Sequence, residues 1–286
     1  MARRVAGEIV TVDSMQVYRG MDVGTAKPSV AQMGAIPHHM IDIADPASAF
    51  SVAAFQAAGR VVLRQLSAAG SRAIICGGSG LHFRALVDPF EFPPTNPALR
   101  AKLDAVAAAD LAAELSAADP DVADHIDMAN TRRLVRAVEV YRLTGQTPSD
   151  RHSGSAAAAV REYRSVVDFV AVGLDSGDQL EDRIADRFEG MVDGGWVEEA
   201  GRLSEKLGPT ARLAIGYREL MDVAAGWRTL RDVKPEVIQS TISFAKRQRT
   251  YFRRDPRIHW IPWHDDPAER AADAVAIFEE AGAWSS

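Results

Sequence analysis

Short apolar runs alternate with amphipathic stretches along the chain, the pattern of a sheet whose strands are separated by helices. Ala2 to Ala6 reads as the last turn of a helix, Gly7 as the glycine that ends it, and Glu8 to Val12 as a strand running into Asp13. Ser51 can cap a helix whose apolar positions Phe55, Val62, Leu63 and Leu66 fall near helical spacing, and Gly70 ends it. "RAIIC" is a β-branched strand, and "GGSGLHFRAL" turns straight from it into a new helix. Near residue 170, "SVVDFVAVGL" is a further strand, followed by a helix predicted to run through Leu207. From Glu236 a helix carries "KRQRTYFRR", "IHWIPW" gives a last short strand, and a helix closes the chain.

Between "FPPTNP" and "SDRHSGSAAAA" the pattern changes to Ala-rich, charged and helical, with no strand-like run. Residues 94–163 are therefore expected to form a helical insertion, and residues 1–93 with 164–286 an α/β core of open parallel-sheet type. The joints are proline-rich on one side and Gly/Ser/Ala-rich on the other. No repeat of solenoid length is present.

A length of 286 residues with 47% hydrophobic and 25% charged suits one large domain or two smaller ones and no disorder-dominated chain. The apolar stretches stay short of the roughly 18 residues that a membrane span needs. With no signal-peptide core at the front, a cytoplasmic location is expected. Cys76 is the only cysteine, which excludes an internal disulfide and a Cys-based zinc site; it reads as a small apolar residue in a buried strand. A net charge of -6 argues against nucleic acid unless the positive charges cluster.

They do cluster. "NTRRLVRAVEVYR" puts Arg132, Arg133, Arg136 and Arg142 on a helix of the insertion, and "AKRQRTYFRRDPR" puts Lys246, Arg247, Arg249, Arg253, Arg254 and Arg257 on another, with Tyr251 and Phe252 interleaved. Such runs suit RNA phosphates with aromatics for stacking, or else a solvated helix face. Asp13 stands at the carboxyl end of a strand, where open α/β sheets hold ligands, although a turn-forming or helix-capping Asp would stand there too. "GTAKP" and "PHHMID" are loops whose polar groups could face the same cleft. The "CGGSGLHFRAL" turn offers amides at a helix N-terminus to an anion, with Arg84 one turn further in; tight packing is its other use of glycine. Arg183 and Arg187 share a helix face and could hold a leaving pyrophosphate, or could pair with Asp182, Asp186 or Glu189.

Taken together and in order, "DSMQVYRGMDVGTAKP", "PHHMIDI", "GGSGLHFRAL", "RRLVRAVEVY", "AIGYRE" and "KRQRTYFRR" closely resemble the bacterial tRNA dimethylallyltransferase family over essentially the whole chain. The resemblance implies a P-loop-type α/β core, nucleotide- and ATP-binding in fold, flanked by helices and carrying a helical insertion. It implies transfer of a dimethylallyl group from dimethylallyl diphosphate to N6 of adenosine 37 of tRNA, with Mg²⁺ as cofactor, by a protein acting as a monomer on the anticodon stem-loop. By this resemblance Asp13 matches the general base and, with Ser14, Met15 and Gln16, a tRNA-contacting stretch. Arg187 matches the diphosphate-binding arginine, with Arg84 and Arg183 as further cations. Ser79, Arg100, the segment Arg132, Arg133, Leu134, Val135 and Arg136, the segment Leu213, Ala214, Ile215, Gly216, Tyr217 and Arg218, and Lys246 with Arg247 match tRNA-binding positions.

The chain departs from the family pattern in three places. Ser79 stands where Thr is usual and His82 where Tyr is usual. The larger departure is at the front, where the family has a strand and a "GPTxxGKS"-type loop whose amides and Lys bind diphosphate and magnesium. No glycine-rich Lys-Ser or Lys-Thr motif occurs in this sequence. The expectation is therefore a first strand, phosphate loop and most of a first helix ahead of Met1, and little or no turnover by the chain as written. A small-nucleotide isopentenyltransferase or kinase of the P-loop class, and a non-catalytic tRNA-binding remnant, are the alternatives.

Overall fold

The computed structural model describes residues 1–282. They form two compact units, Met1–Leu86 with the chain from Asp168 onward, and Val87–Val167 between them. The second unit is slightly wider than the insertion expected from composition, because the Phe/Pro-rich and "REYRS" flanks travel with it. No helix among the described residues is long and apolar enough to cross a membrane.

In the first unit the strands are β1 (Gly7–Thr11), β2 (His38–His39), β3 (Arg72–Cys76), β4 (Ala171–Leu174) and β5 (Ile258–Ile261). All pairings are parallel, as helical crossovers require. The sheet is in two pieces, ordered β2-β1-β3 and β4-β5. β1 is central in its piece, and Val10 and Val12 are buried there. Helix Val52–Ala68 crosses from β2 to β3 with Ser51 accepting from the Ala54 amide at 3.2 Å, as its sequence predicts.

Several local expectations change. The left-handed residue that ends the first helical turn is Ala6, at φ 49°, not Gly7. Gly7 already belongs to β1, where a Cβ would meet Ile74 Cδ1 at 2.9 Å, so close strand packing explains the glycine. Cys76 is exposed rather than buried: β3 is the outer strand of its sheet, with no partner on its far side among the described residues. The helix expected to reach Leu207 breaks into Leu180–Asp193 and Trp196–Leu203 at Gly195, which adopts φ +93°. "SDRHSGSAAAA" is helical, as Pro148–Ser153 and Ser155–Arg161, because Thr147 caps the first piece in a reciprocal box with Asp150. The long helix starts at Leu230, ahead of Glu236, since Thr229 and Asp232 cap it, and it runs on through Pro235, which denies the Arg231 carbonyl its i+4 amide.

The second unit buries its own core. Leu103, Leu111, Leu115, Leu134, Val135 and Val138 pack together from helices Pro97–Asp104, Ala108–Ala118 and Thr131–Thr144, with Val122 of the short 3-10 turn Val122–Asp124.

Candidate active site

Adjacent parallel strands bring the first residues together. Thr11 of β1 lies beside Cys76 of β3, so Asp13 and the glycine turn leave the sheet side by side, and the Ser79 amide donates to the Val12 carbonyl at 3.2 Å. Asp13 is half-buried. Its Oδ1 accepts from the Met15 amide at 2.8 Å and the Gln16 amide at 3.2 Å, an Asx turn that fixes the carboxylate and leaves Oδ2 without a protein donor among the described residues. Ser79 Oγ lies 2.7 Å from His82 Nδ1, so the two mild departures from the family pattern contact each other. Burial pushes the His82 imidazole below its ordinary value, only partly offset by the nearby Asp13 carboxylate. The ring is thus neutral at pH 7, wedged edge-on against Phe55 at 4.6 Å between centroids.

The long helix closes over this turn. A Cβ on Gly78 would sit 2.5 Å from Gln248 Nε2, and one on Gly80 2.2 Å from the Tyr251 ring. Phe252 meets Phe83 at 6.2 Å. Tyr251 and Phe252 are therefore packing residues, which corrects their reading as aromatics open to bases: they occupy the inner phase of an amphipathic helix. Much of the basic run on the outer phase is paired, Lys246 with Glu181 at 3.0 Å, and Arg249 and Arg253 with Asp175. Arg247 makes no ion pair among the described residues; its guanidinium lies 6.0 Å from the Phe244 ring.

The loops "DVGTAKP" and "PHHMID" converge on Gln16. Its side-chain amide donates to the carbonyls of Thr25 and Ala26 at 3.1 and 3.2 Å, and its own backbone carbonyl accepts from the Asp42 amide at 3.2 Å. Lys27, whose side chain is only 4% exposed, joins both loops through Tyr18 O at 2.8 Å, Asp22 at 2.6 Å and Asp42 at 2.5 Å. Met40 and Asp42 hold left-handed backbone at φ 63° and 55°, strain that this network has to sustain.

Arg183 and Arg187 share a helix but not a role. Arg183 stacks on Trp263, 4.1 Å from the ring centroid, and donates to the Ser176 carbonyl. Its guanidinium is thus engaged by an aromatic face and a backbone acceptor, unlike that of Arg187. Arg187 is exposed and makes no hydrogen bond or ion pair among the described residues, so the expected alternative of i,i+4 pairing does not hold. Glu189 instead pairs with Lys234. Arg84 is half-buried in helix Gly80–Val87.

Sequence reasoning missed Glu199. This carboxylate, 1% exposed, accepts from the amides of Asp22, Val23 and Gly24 at 2.9, 2.8 and 3.0 Å and from the Tyr217 hydroxyl at 2.6 Å. The available signal is phase: Glu199 falls on the same helical face as Trp196, Ala200 and Leu203, all buried. Of the segment Leu213 to Arg218, Leu213 and Arg218 are exposed, while Ala214, Gly216 and Tyr217 are not open to RNA: Ala214 and Tyr217 are buried, and Gly216 lies against the Trp196 ring.

In the second unit, Arg132 and Arg133 are exposed at the start of Thr131–Thr144 and make no ion pair among the described residues. Leu134 and Val135 point into the core, so of the five residues expected to bind tRNA only the arginines lie outside it. Arg136 donates to the carbonyls of Pro93 and Pro94 at 2.7 and 2.9 Å and, with Arg100, pairs with the buried Glu139 at 2.7 and 2.6 Å. Arg142 is neutralised by Glu114 at 2.6 Å.

The IPP transferase family model matches residues 16–255. The tRNA dimethylallyltransferase of Bifidobacterium longum is 40% identical over 292 residues, taking in 99% of this chain and 87% of that protein. The Streptomyces coelicolor enzyme of the same name is 40% identical over 269 residues, 91% of this chain and 84% of the relative. Among solved structures, the full-length tRNA isopentenylpyrophosphate transferase of Bacillus halodurans aligns with a TM-score of 0.69 at 32% identity, covering 99% of this chain and 90% of that one. A eukaryotic dimethylallyltransferase acting on tRNA aligns with a TM-score of 0.78 at 21% identity over 98% of this chain and 74% of that one, a likeness of fold alone. A family model that takes in most of the sequence, together with relatives this similar end to end, makes the chain a member of the IPP transferase family.

Proposed function

We propose that this protein transfers a dimethylallyl group from dimethylallyl diphosphate to N6 of adenosine 37 in the anticodon stem-loop of tRNA, acting as a monomer. One observation carries the reading: a carboxylate held by two backbone amides with its second oxygen unengaged, at the mouth of a glycine turn that opens a helix. The adenine N6 lone pair is delocalised into the ring, so its attack on the allylic carbon needs a proton acceptor. Asp13 takes that proton. The N6–carbon bond forms, the carbon–oxygen bond to diphosphate breaks, and the electron pair leaves on the diphosphate oxygen. Arg187 and the amides of the glycine turn offset its charge. Neutral His82 holds the Ser79 hydroxyl in place without adding a charge beside Asp13.

Magnesium is the ion that diphosphate departure calls for, where it would neutralise charge on the leaving oxygens. No group of three or more His, Cys, Asp or Glu that could hold a metal occurs among the described residues. Asp13 with nearby hydroxyls fits an ion that arrives on diphosphate with its water, rather than one in a protein cage.

The test is a single-turnover incubation, in excess, of the protein carrying the upstream strand and phosphate loop that the family resemblance calls for, with an anticodon stem-loop and dimethylallyl diphosphate, read by mass spectrometry. One dimethylallyl group should be gained on the adenosine 37 RNA and none on a guanosine 37 control. Faster transfer to free AMP than to the stem-loop would overturn the RNA reading.

A further inference from the structure

The second unit holds a cavity of about 790 Å³, within the roughly 300–1,000 Å³ that small-ligand pockets span. Five arginines line it. Arg100 and Arg136 are answered by the buried carboxylate of Glu139, whereas Arg132, Arg133 and Arg151 make no hydrogen bond or ion pair among the described residues. Like charges therefore gather around one cavity: burial and the neighbouring charge of Arg136, against the pull of the Glu91 carboxylate, hold the Arg151 guanidinium below its ordinary value. An anion would relieve their repulsion.

The same cavity contains a second feature that charge does not explain. His125 and His152 stack, with ring centroids 4.5 Å apart and planes at 27°. Arg161, burial and His125 all hold the His152 imidazole low, so at neutral pH that ring presents a π face instead of a further cation. Ile126, Ala137 and Val140 add apolar lining to the same cavity. Phosphate donors and a flat aromatic face lining one cavity match a nucleotide better than an acidic peptide, which offers no ring to stack. Guanidiniums spread over two helices suit successive phosphates of a strand.

We propose that this cavity takes a single unpaired nucleotide of RNA, its base on the His125–His152 stack and its flanking phosphates on Arg132, Arg133 and Arg151. The proposal rests on the RNA reading above and adds Arg151, His125 and His152 to it. The phosphate contacts set affinity and the stack chooses an unpaired residue, since a base inside a helix offers no free face.

Anticodon stem-loops carrying 2-aminopurine at one loop position at a time provide the test. The unaltered protein should change the fluorescence of one loop position, and His152→Ala, whose side chain is exposed and outside the core, should abolish that change while stem-loop binding persists. Arg151→Ala should weaken binding about 10-fold and reduce the salt slope by about 1. Failure of the unaltered protein to bind the stem-loop would sink the RNA reading itself. Binding with both variants indistinguishable from the unaltered protein would sink the pocket alone. Equal affinity for free AMP, lost in Arg151→Ala, would overturn the assignment to an RNA strand.

Discussion

Glu199 and Tyr217 face each other in the interior of the first unit, carboxylate to phenol at 2.6 Å, and the same carboxylate gathers three successive amides of the "DVG" loop. Burial, then the hydrogen bond to Glu199, pushes the Tyr217 phenol far above its ordinary value, so it remains a donor at every accessible pH. Glu199→Ala would leave four donors unanswered, the Tyr217 hydroxyl buried and the three amides partly buried. At roughly 1–3 kcal/mol each, less what water recovers, it should cost at least about 3 kcal/mol, while Tyr217→Phe removes one bond and should cost about 1–2 kcal/mol. Urea unfolding checks both. A loss under about 1 kcal/mol for Glu199→Ala would mean that the loop does not depend on it.

Asp13 has two jobs, and two substitutions separate them. Asp13→Asn retains an oxygen for the Met15 and Gln16 amides but cannot take a proton, so the single-turnover rate should fall about 100-fold or more while stem-loop affinity stays near that of the unaltered protein. Asp13→Ala should lose the rate and also loosen the turn that carries Ser14, Met15 and Gln16, weakening RNA binding as well. Equal rates in Asn and unaltered forms would remove Asp13 from proton transfer.

The arginines of helix Leu180–Asp193 should part company in kinetics. Arg187→Ala is expected to raise KM for dimethylallyl diphosphate and lower kcat with little change in stability. Arg183→Ala, which deletes the stack on Trp263 and the bond to Ser176, should mainly lower Tm. The opposite pattern, with Arg183→Ala altering KM and Arg187→Ala altering only the melting curve, would refute this division of roles.

Acid should weaken the second unit through Glu139. Burial raises its pKa, but the Asn96 amide and the guanidiniums of Arg136 and Arg100 outweigh burial and hold it below the ordinary 4.5. A depressed folded pKa means stability that is present above about pH 4.5 and lost as pH falls toward the folded value. Unfolding followed by far-UV circular dichroism between neutral pH and about pH 3 should therefore show a loss that Glu139→Gln reduces. An unchanged acid dependence in Glu139→Gln would assign the loss to other carboxylates.

What the sequence makes legible is local. Strand ends are marked by β-branched runs and turn residues, which is why Asp13 and the glycine turn can be found at neighbouring strand ends, while the transfer of an allyl group comes from the resemblance and not from any spacing. Helix phase is harder to read: a contiguous RNA-contacting segment takes in Leu134 and Val135, although positions one and two removed from Arg133 must turn toward the core. Tyr251 and Phe252 mislead for the same reason. Glu199 looks like an acid at a helix N-terminus, a common surface choice, and only its place among buried neighbours betrays it. The division of the sheet into two pieces has no local signature at all, because strand order is decided by crossovers and not by composition.

The fit of Gly78 and Gly80 against Gln248 and Tyr251 also bears on how the protein is made. A nascent chain emerges from its N-terminus, so Asp13 and the glycine turn leave the ribosome long before the helix that covers them. Residues 87–167 complete their own core in the interval. The cleft consequently stays open through most of synthesis and is sealed near its end. Unfinished chains present loose amides, but not the walled site that a prenyl donor and an RNA loop would have to share.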